Sequence, residues 1–358
     1  MATYIPLFLF AAVCLILMLG YPVAFTLAGT ALAFAVGGIL AGNFDADFLA
    51  ALPGRLFGTI NNVTLIAVPL FILMGVILEK SKIAEELLSS MGKLFAGVRG
   101  GLGISVVIVG MLLAASTGIV GATVVTMGLL SLPTMLRSGY SPSLAAGTIC
   151  ATGTLGQIIP PSIALVLLGD VMSNAYHQAQ LKMDIFNPKT VSVGDLFMGA
   201  LLPGLLLVFL YITYLLVYTR LKPESAPAAS TQRITASEIV KSLLPPLILI
   251  TIVLGSILAG AATPTEAAGV GAIGALILAA IKGQMSFSVL SDAVTNTLQV
   301  TGMVFMILIG AAIFSLVFRG FGGEELIHGY FAHIPGGAMG ATFAVMVTIF
   351  LLGFILDF

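Results

Sequence analysis

Tryptophan is absent from the 358 residues, and Asp, Glu, Lys and Arg together supply only 8% of them. Soluble domains carry about 25% charged residues, so a water-facing globule is excluded. The net charge of −1, without any basic block, removes the electrostatic footprint that nucleic-acid binding requires. Cysteine is limited to Cys14 and Cys150, both in apolar segments, which argues against a disulfide or a thiolate metal site. His177, His328 and His333 are placed in polar loops and lack metal-ligand spacing. The chain has no GxGxxG opening a strand–helix unit, no Walker loop, no HExxH and no GxSxG, so enzymatic chemistry has no candidate residues.

What is present is apolar sequence, 59% of the whole. The reading is an all-α polytopic membrane protein. The first apolar run, about 4–20, has no Lys or Arg before it, so it reads as a retained membrane helix rather than a signal peptide. Without Trp, the interfacial belts fall to Tyr and Phe. Further apolar segments lie at about 22–42, 62–79, 101–137, 142–175, 196–220, 242–260, 264–281, 300–318 and 338–358. About 20 residues cross the hydrocarbon, so 101–137 and 142–175 are each too long for one pass.

Basic residues set the sidedness. Lys80, Lys82, Lys93 and Arg99 precede 101–137 and Arg137 closes it, which places both of its ends in the cytoplasm. That segment is therefore expected to enter, turn and return as a re-entrant hairpin. The next segment crosses outward, and 196–220 returns to Arg220, Lys222, Arg233 and Lys241. Residues 221–238 read as a flexible cytoplasmic linker. The polar stretches 81–98 and 284–298 are expected as amphipathic arms along the interface, and their occurrence once per half hints at a repeat.

Both overlong segments are broken in the middle. The first carries "ASTGIVGAT" from Ala115, and the second carries "GTLGQIIPPSI" from Gly153. Pro160 and Pro161 lack the amide hydrogens that a helix would offer to the Gly156 and Gln157 carbonyls, and an unpaired carbonyl in hydrocarbon is costly. A single proline would only kink a helix; two such breaks in neighbouring segments mark discontinuous helices facing each other near the midplane. The candidate binding residues are Ser116, Thr117, Gly118 and Gly121 at the first break. At the second they are Gly153, Thr154, Gly156, Pro160, Pro161 and Ser162. These offer hydroxyl and carbonyl oxygens without a carboxylate, which suits a monovalent cation escorting an anionic substrate. Ser116, Thr154, Gly153 and Gly156 are the candidate ligands of a sodium ion, and no other cofactor is expected.

Glu266 in "TPTEAAG" invites a functional reading as an intramembrane carboxylate. The stronger reading is a capping box, with Thr263 as N-cap, Pro264 at the first helical position and Glu266 three residues on. Gly269, Gly271 and Gly274 after it read as small-residue packing against a neighbouring helix.

"PLFILMGVILEKSKIAEELL", "STGIVGATVVTMG", "GTLG" followed by "IPPSI", and "ATPTEAAGVGA" occur in an order that resembles the large membrane subunit of tripartite ATP-independent periplasmic (TRAP) transporters. The resemblance implies an inverted-repeat, elevator-type secondary transporter driven by sodium, in the bacterial inner membrane. It also implies two partners, a small four-helix membrane subunit and a periplasmic substrate-binding protein. The default cargo is an organic acid. On this scheme residues 1–98 are scaffold helices and the first interfacial arm, and 99–175 the first transport half. Residues 176–241 hold an extended loop at 174–195, a membrane helix and the linker, and 242–358 an incomplete second repeat. The family's second hairpin opens where this chain reaches "LLGFILDF", so a C-terminally truncated chain is expected. The competing reading is a non-transporting scaffold or assembly subunit, or an inactive fragment.

Overall fold

A computed structural model describes residues 4–117, 120–228 and 236–354, and among them every regular element is helical. In chain order the helices open with α1 (Ile5–Met18), α2 (Val23–Leu40), α3 (Leu52–Ile60), α4 (Ala67–Lys80) and α5 (Ile83–Leu94). The expected hairpin region holds α6 (Gly101–Thr117) and α7 (Val120–Arg137). The proline-broken segment holds α8 (Pro142–Gly153), α9 (Leu155–Ile158) and α10 (Ile163–Lys182). Then come α11 (Val193–Leu221), α12 (Ala236–Leu258), α13 (Pro264–Ile281), α14 (Phe287–Gly320), α15 (Gly323–Ala332) and α16 (Gly337–Leu352). Among the described residues, seven stretches are long and apolar enough to cross a membrane, whereas Ile5–Met18 and Gly337–Leu352 are shorter apolar helices.

The chain divides into two compact units, residues 1–62 with 301–358 and residues 63–300. The first unit has a core of Leu9, Ala31, Ala35, Phe44, Ile313 and Val317. Phe44 meets Phe321 at 4.8 Å between ring centroids. Gly310 makes the close approach here, since a methyl group on it would lie 2.5 Å from the Ala24 carbonyl oxygen.

In the second unit, α13 packs along α4 and α12. A methyl on Gly271 would fall 2.6 Å from Met74 Sδ, and one on Gly274 would fall 2.4 Å from Leu249 Cδ1. These two glycines are the small-residue contacts expected from the sequence, while Gly269 meets only Leu70, at 4.0 Å. The capping box is formed: Glu266 N–H donates to Thr263 Oγ1 (3.3 Å), and Thr263 N–H donates to Glu266 Oε2 (2.8 Å). A second box, which the sequence reading did not pick out, starts α11, where Ser192 and Asp195 exchange the same pair of bonds. The arm α5 is amphipathic as expected, burying Ile83, Ala84, Leu87, Leu88 and Met91 while Glu85 and Glu86 stay exposed.

Three expectations are corrected. Residues 284–298 do not form a separate arm, because α14 runs unbroken from Phe287 to Gly320. The loop expected at 174–195 is shorter, since α10 continues to Lys182 and therefore carries His177. His328 likewise lies within α15, and His333 is its C-cap. Gln180 closes the remaining loop, donating to the Lys189 carbonyl (2.7 Å) and accepting from Lys189 N–H (2.9 Å).

Candidate functional site

The hairpin is present. Gly103, near the start of α6, donates its N–H to the Tyr140 hydroxyl oxygen, just beyond the end of α7, at 3.1 Å. Burial raises the Tyr140 phenol above its usual range, opposed by the backbone hydrogen bonds it takes from Gly103 and Leu102. Midway along the arms, a methyl on Gly110 would sit 3.8 Å from Met127 Cε. The arms therefore lie side by side, with their open ends tied together. Gly118 at the tip lies outside the described residues; Ser116 and Thr117 close α6, and Gly121 is exposed with open space where a side chain would go.

The second break has a defined shape. Helix α8 stops at Gly153 and the single turn α9 follows. Ile159 is extended, Pro160–Pro161 is joined by a cis peptide, and Ser162 is the N-cap of α10. Pro160, Pro161, Ser162 and Gly156 are buried. Ser162 Oγ donates to the Gln157 carbonyl at 2.7 Å and accepts from Leu165 N–H at 3.4 Å. One of the two carbonyls that the prolines release is thus satisfied by the serine that follows them. The other, of Gly156, is one of the expected sodium ligands.

The two breaks converge on one another. A methyl on Gly153 would lie 2.2 Å from Val124 Cγ2 and 3.2 Å from its Cα, so the end of α8 rests against the first turns of α7. On the other arm, a methyl on Gly110 would lie 1.9 Å from Thr152 Cγ2. Two glycines, one in the broken helix and one in the hairpin, permit this approach. Thr154 is exposed and its hydroxyl donates to the Ala151 carbonyl at 2.7 Å, which leaves the lone pairs of Oγ1 facing outward from the helix. At each break a helix C-terminus is followed within a few residues by a helix N-terminus. The first end favours a cation and the second an anion. Among the described residues no cluster of three His, Cys, Asp or Glu is placed to hold a metal.

The sequence reading missed Glu79 and Thr126. Thr126 Oγ1, on α7, donates to Glu79 Oε1 of α4 at 2.9 Å, a polar tie between the hairpin and a neighbouring helix. The available signal was a carboxylate at the end of an otherwise apolar run, "PLFILMGVILE".

The model of the family described as "Tripartite ATP-independent periplasmic transporter, DctM component" matches residues 10–358. The C4-dicarboxylate TRAP transporter large permease protein DctM of Pseudomonas aeruginosa is 33% identical over 276 residues, 76% of this chain and 60% of that protein. The sialic acid TRAP transporter large permease protein SiaM of Vibrio cholerae is 28% identical over 343 residues, 94% of this chain and 74% of that protein. The crystal structure of the Alcanivorax borkumensis YdaH transporter superposes with a TM-score of 0.57 at 14% identity, covering 90% of this chain and 73% of that one, a likeness of fold. The family match reaches residue 358. The chain spans 60% and 55% of the length of the C4-dicarboxylate permeases of P. aeruginosa and V. cholerae. With seven spans among the described residues, this chain belongs to the DctM component family of TRAP transporters, multi-pass transport proteins of the bacterial inner membrane and not enzymes.

Proposed function

We propose that the chain is the large membrane subunit of a sodium-driven TRAP-type secondary transporter that imports an organic acid. A periplasmic binding protein delivers the cargo, and a small four-helix membrane subunit completes the assembly. The observation that carries this reading is the contact of Gly153 with Val124, which brings two chain breaks together. The sodium ion is held by hydroxyl oxygens of Ser116 and Thr154 and by carbonyls of Gly153 and Gly156. Gln157 contributes least, because its carbonyl already accepts from Ser162. The N-termini of α7 and α10 then face the anionic end of the cargo. The relatives support an acid in their names, which specify C4-dicarboxylate, isethionate and sialic acid permeases; ectoine, named for another, is a zwitterion.

The test is uptake into proteoliposomes that contain this chain and the small subunit, with loaded binding protein outside. Uptake is expected to require both an inward sodium gradient and the binding protein. Uptake that persists after the sodium gradient is collapsed overturns the ion assignment, and uptake without the binding protein overturns the delivery route.

A further inference from the structure

A groove of about 810 Å³ lies between the arm α5 and the ends of α12 and α13 that the basic residues place in the cytoplasm. It is lined by Lys82, Lys93, Lys241 and Lys282, against which stand Glu85 and Glu86. The lysines come from separate places: the N-cap and last turn of α5, the second turn of α12, and the C-cap of α13. Lys282 pairs with Glu86, which joins α13 to the arm. Packing does not require the other three to gather here, and like charges that share a groove repel one another until an anion enters.

The walls of the groove continue as hydrocarbon-facing rows. Leu244, Ile248 and Ile252 of α12 repeat every four residues, as do Ile273, Ile277 and Ile281 of α13. All six are between 47% and 77% exposed. Ile281 also lines the groove itself, so its row begins at the lysines. A ligand that matches both features is negative at one end and carries long apolar chains at the other.

We propose that this groove is a binding site for an anionic phospholipid. The phosphate headgroup lies among Lys82, Lys93, Lys241 and Lys282, and the acyl chains follow the two isoleucine-rich rows. The site is separate from the two chain breaks and stands whether or not those bind sodium. It gives the arm a lipid-dependent attachment to α12 and α13, in addition to the single Lys282–Glu86 pair.

Native mass spectrometry of the purified full chain tests this with phosphatidylglycerol and phosphatidylcholine of identical acyl chains, and with glycerol phosphate as the free headgroup. Phosphatidylglycerol is expected to bind in preference to phosphatidylcholine. Lys93→Gln combined with Lys241→Gln is expected to weaken phosphatidylglycerol about 25-fold, at about fivefold per lysine, and to leave phosphatidylcholine unchanged. Lys241→Arg keeps the charge and is expected to keep the preference, as is Lys189→Gln, outside the groove. Equal binding of the two lipids, or an unchanged preference in the double glutamine variant, overturns the proposal. Glycerol phosphate binding as tightly as the lipid also overturns it, since the groove would then take a soluble phosphate.

Discussion

Two proline pairs lie in apolar segments of this chain, and the backbone treats them differently. At Pro160–Pro161 the helix ends, and a new one begins at Ile163. At Pro245–Pro246 the helix continues, inside α12 from Ala236 to Leu258. Both pairs remove two amide hydrogens from the helical ladder. The difference lies in the residues that flank each pair. The first pair frees Gly156 and Gln157, and Gly156 is buried with two prolines and Ser162 beside it. The second frees Lys241, which is exposed and lines an open groove, and Ser242, which is buried. Glycines at 153 and 156 also ease departure from the helix in the first case, whereas Leu243 and Leu244 hold it in the second. At the first pair another donor is also within reach of an orphaned oxygen; Ser162 is that donor.

The largest effect that would sharpen this contrast is on ion use. Replacing Pro160 and Pro161 together by Ala restores the helical donors and is expected to raise the sodium half-saturation of uptake at least tenfold, about 1.4 kcal/mol. The same exchange at Pro245 and Pro246 is expected to leave it unchanged. An unaltered half-saturation in the first variant would mean that the prolines only shape the backbone.

Next is the contact that holds the break against the hairpin. Gly153→Val places a side chain into Val124, and thermal unfolding in detergent should report a loss of about 1–3 kcal/mol. Gly147→Ala, in the same helix with open space around it, should be near neutral. Ser162→Ala leaves the Gln157 carbonyl without its hydroxyl donor and is expected to cost about 1–3 kcal/mol, with the alanine variant still expressed. The smallest effect is at the capping box. Glu266→Gln should keep both stability and uptake, while Glu266→Ala should lose about 1 kcal/mol. Abolished uptake in a well-folded Glu266→Gln variant would return a functional role to the carboxylate.

Segment length and basic residues made the hairpin legible, because 37 apolar residues closed at both ends by Lys and Arg admit few other courses. The cap at Thr263 was equally readable, being a local pattern with a local partner. Errors arose where polarity was taken for loop. "SNAYHQAQLK" is polar but has no Gly or Pro, so α10 runs through it to Lys182. The same holds after Phe287, where no Gly or Pro precedes Gly302 and α14 continues. The partners at the site were not legible at all. That Gly153 meets Val124, that Gly110 meets Thr152, and that Thr126 reaches Glu79 depend on side chains distant in sequence, which periodicity does not specify.

The Tyr140–Gly103 bond at the open end of the hairpin bears on the sidedness of everything downstream. A segment whose entrance and exit are fastened together adds an even number to the count of crossings. The hairpin therefore preserves parity, and the broken segment at 142–182, a single passage despite its interruption, reverses it. Loss of the Tyr140 hydroxyl removes the bond to Gly103, yet only separation of the two ends across the bilayer would invert the later helices.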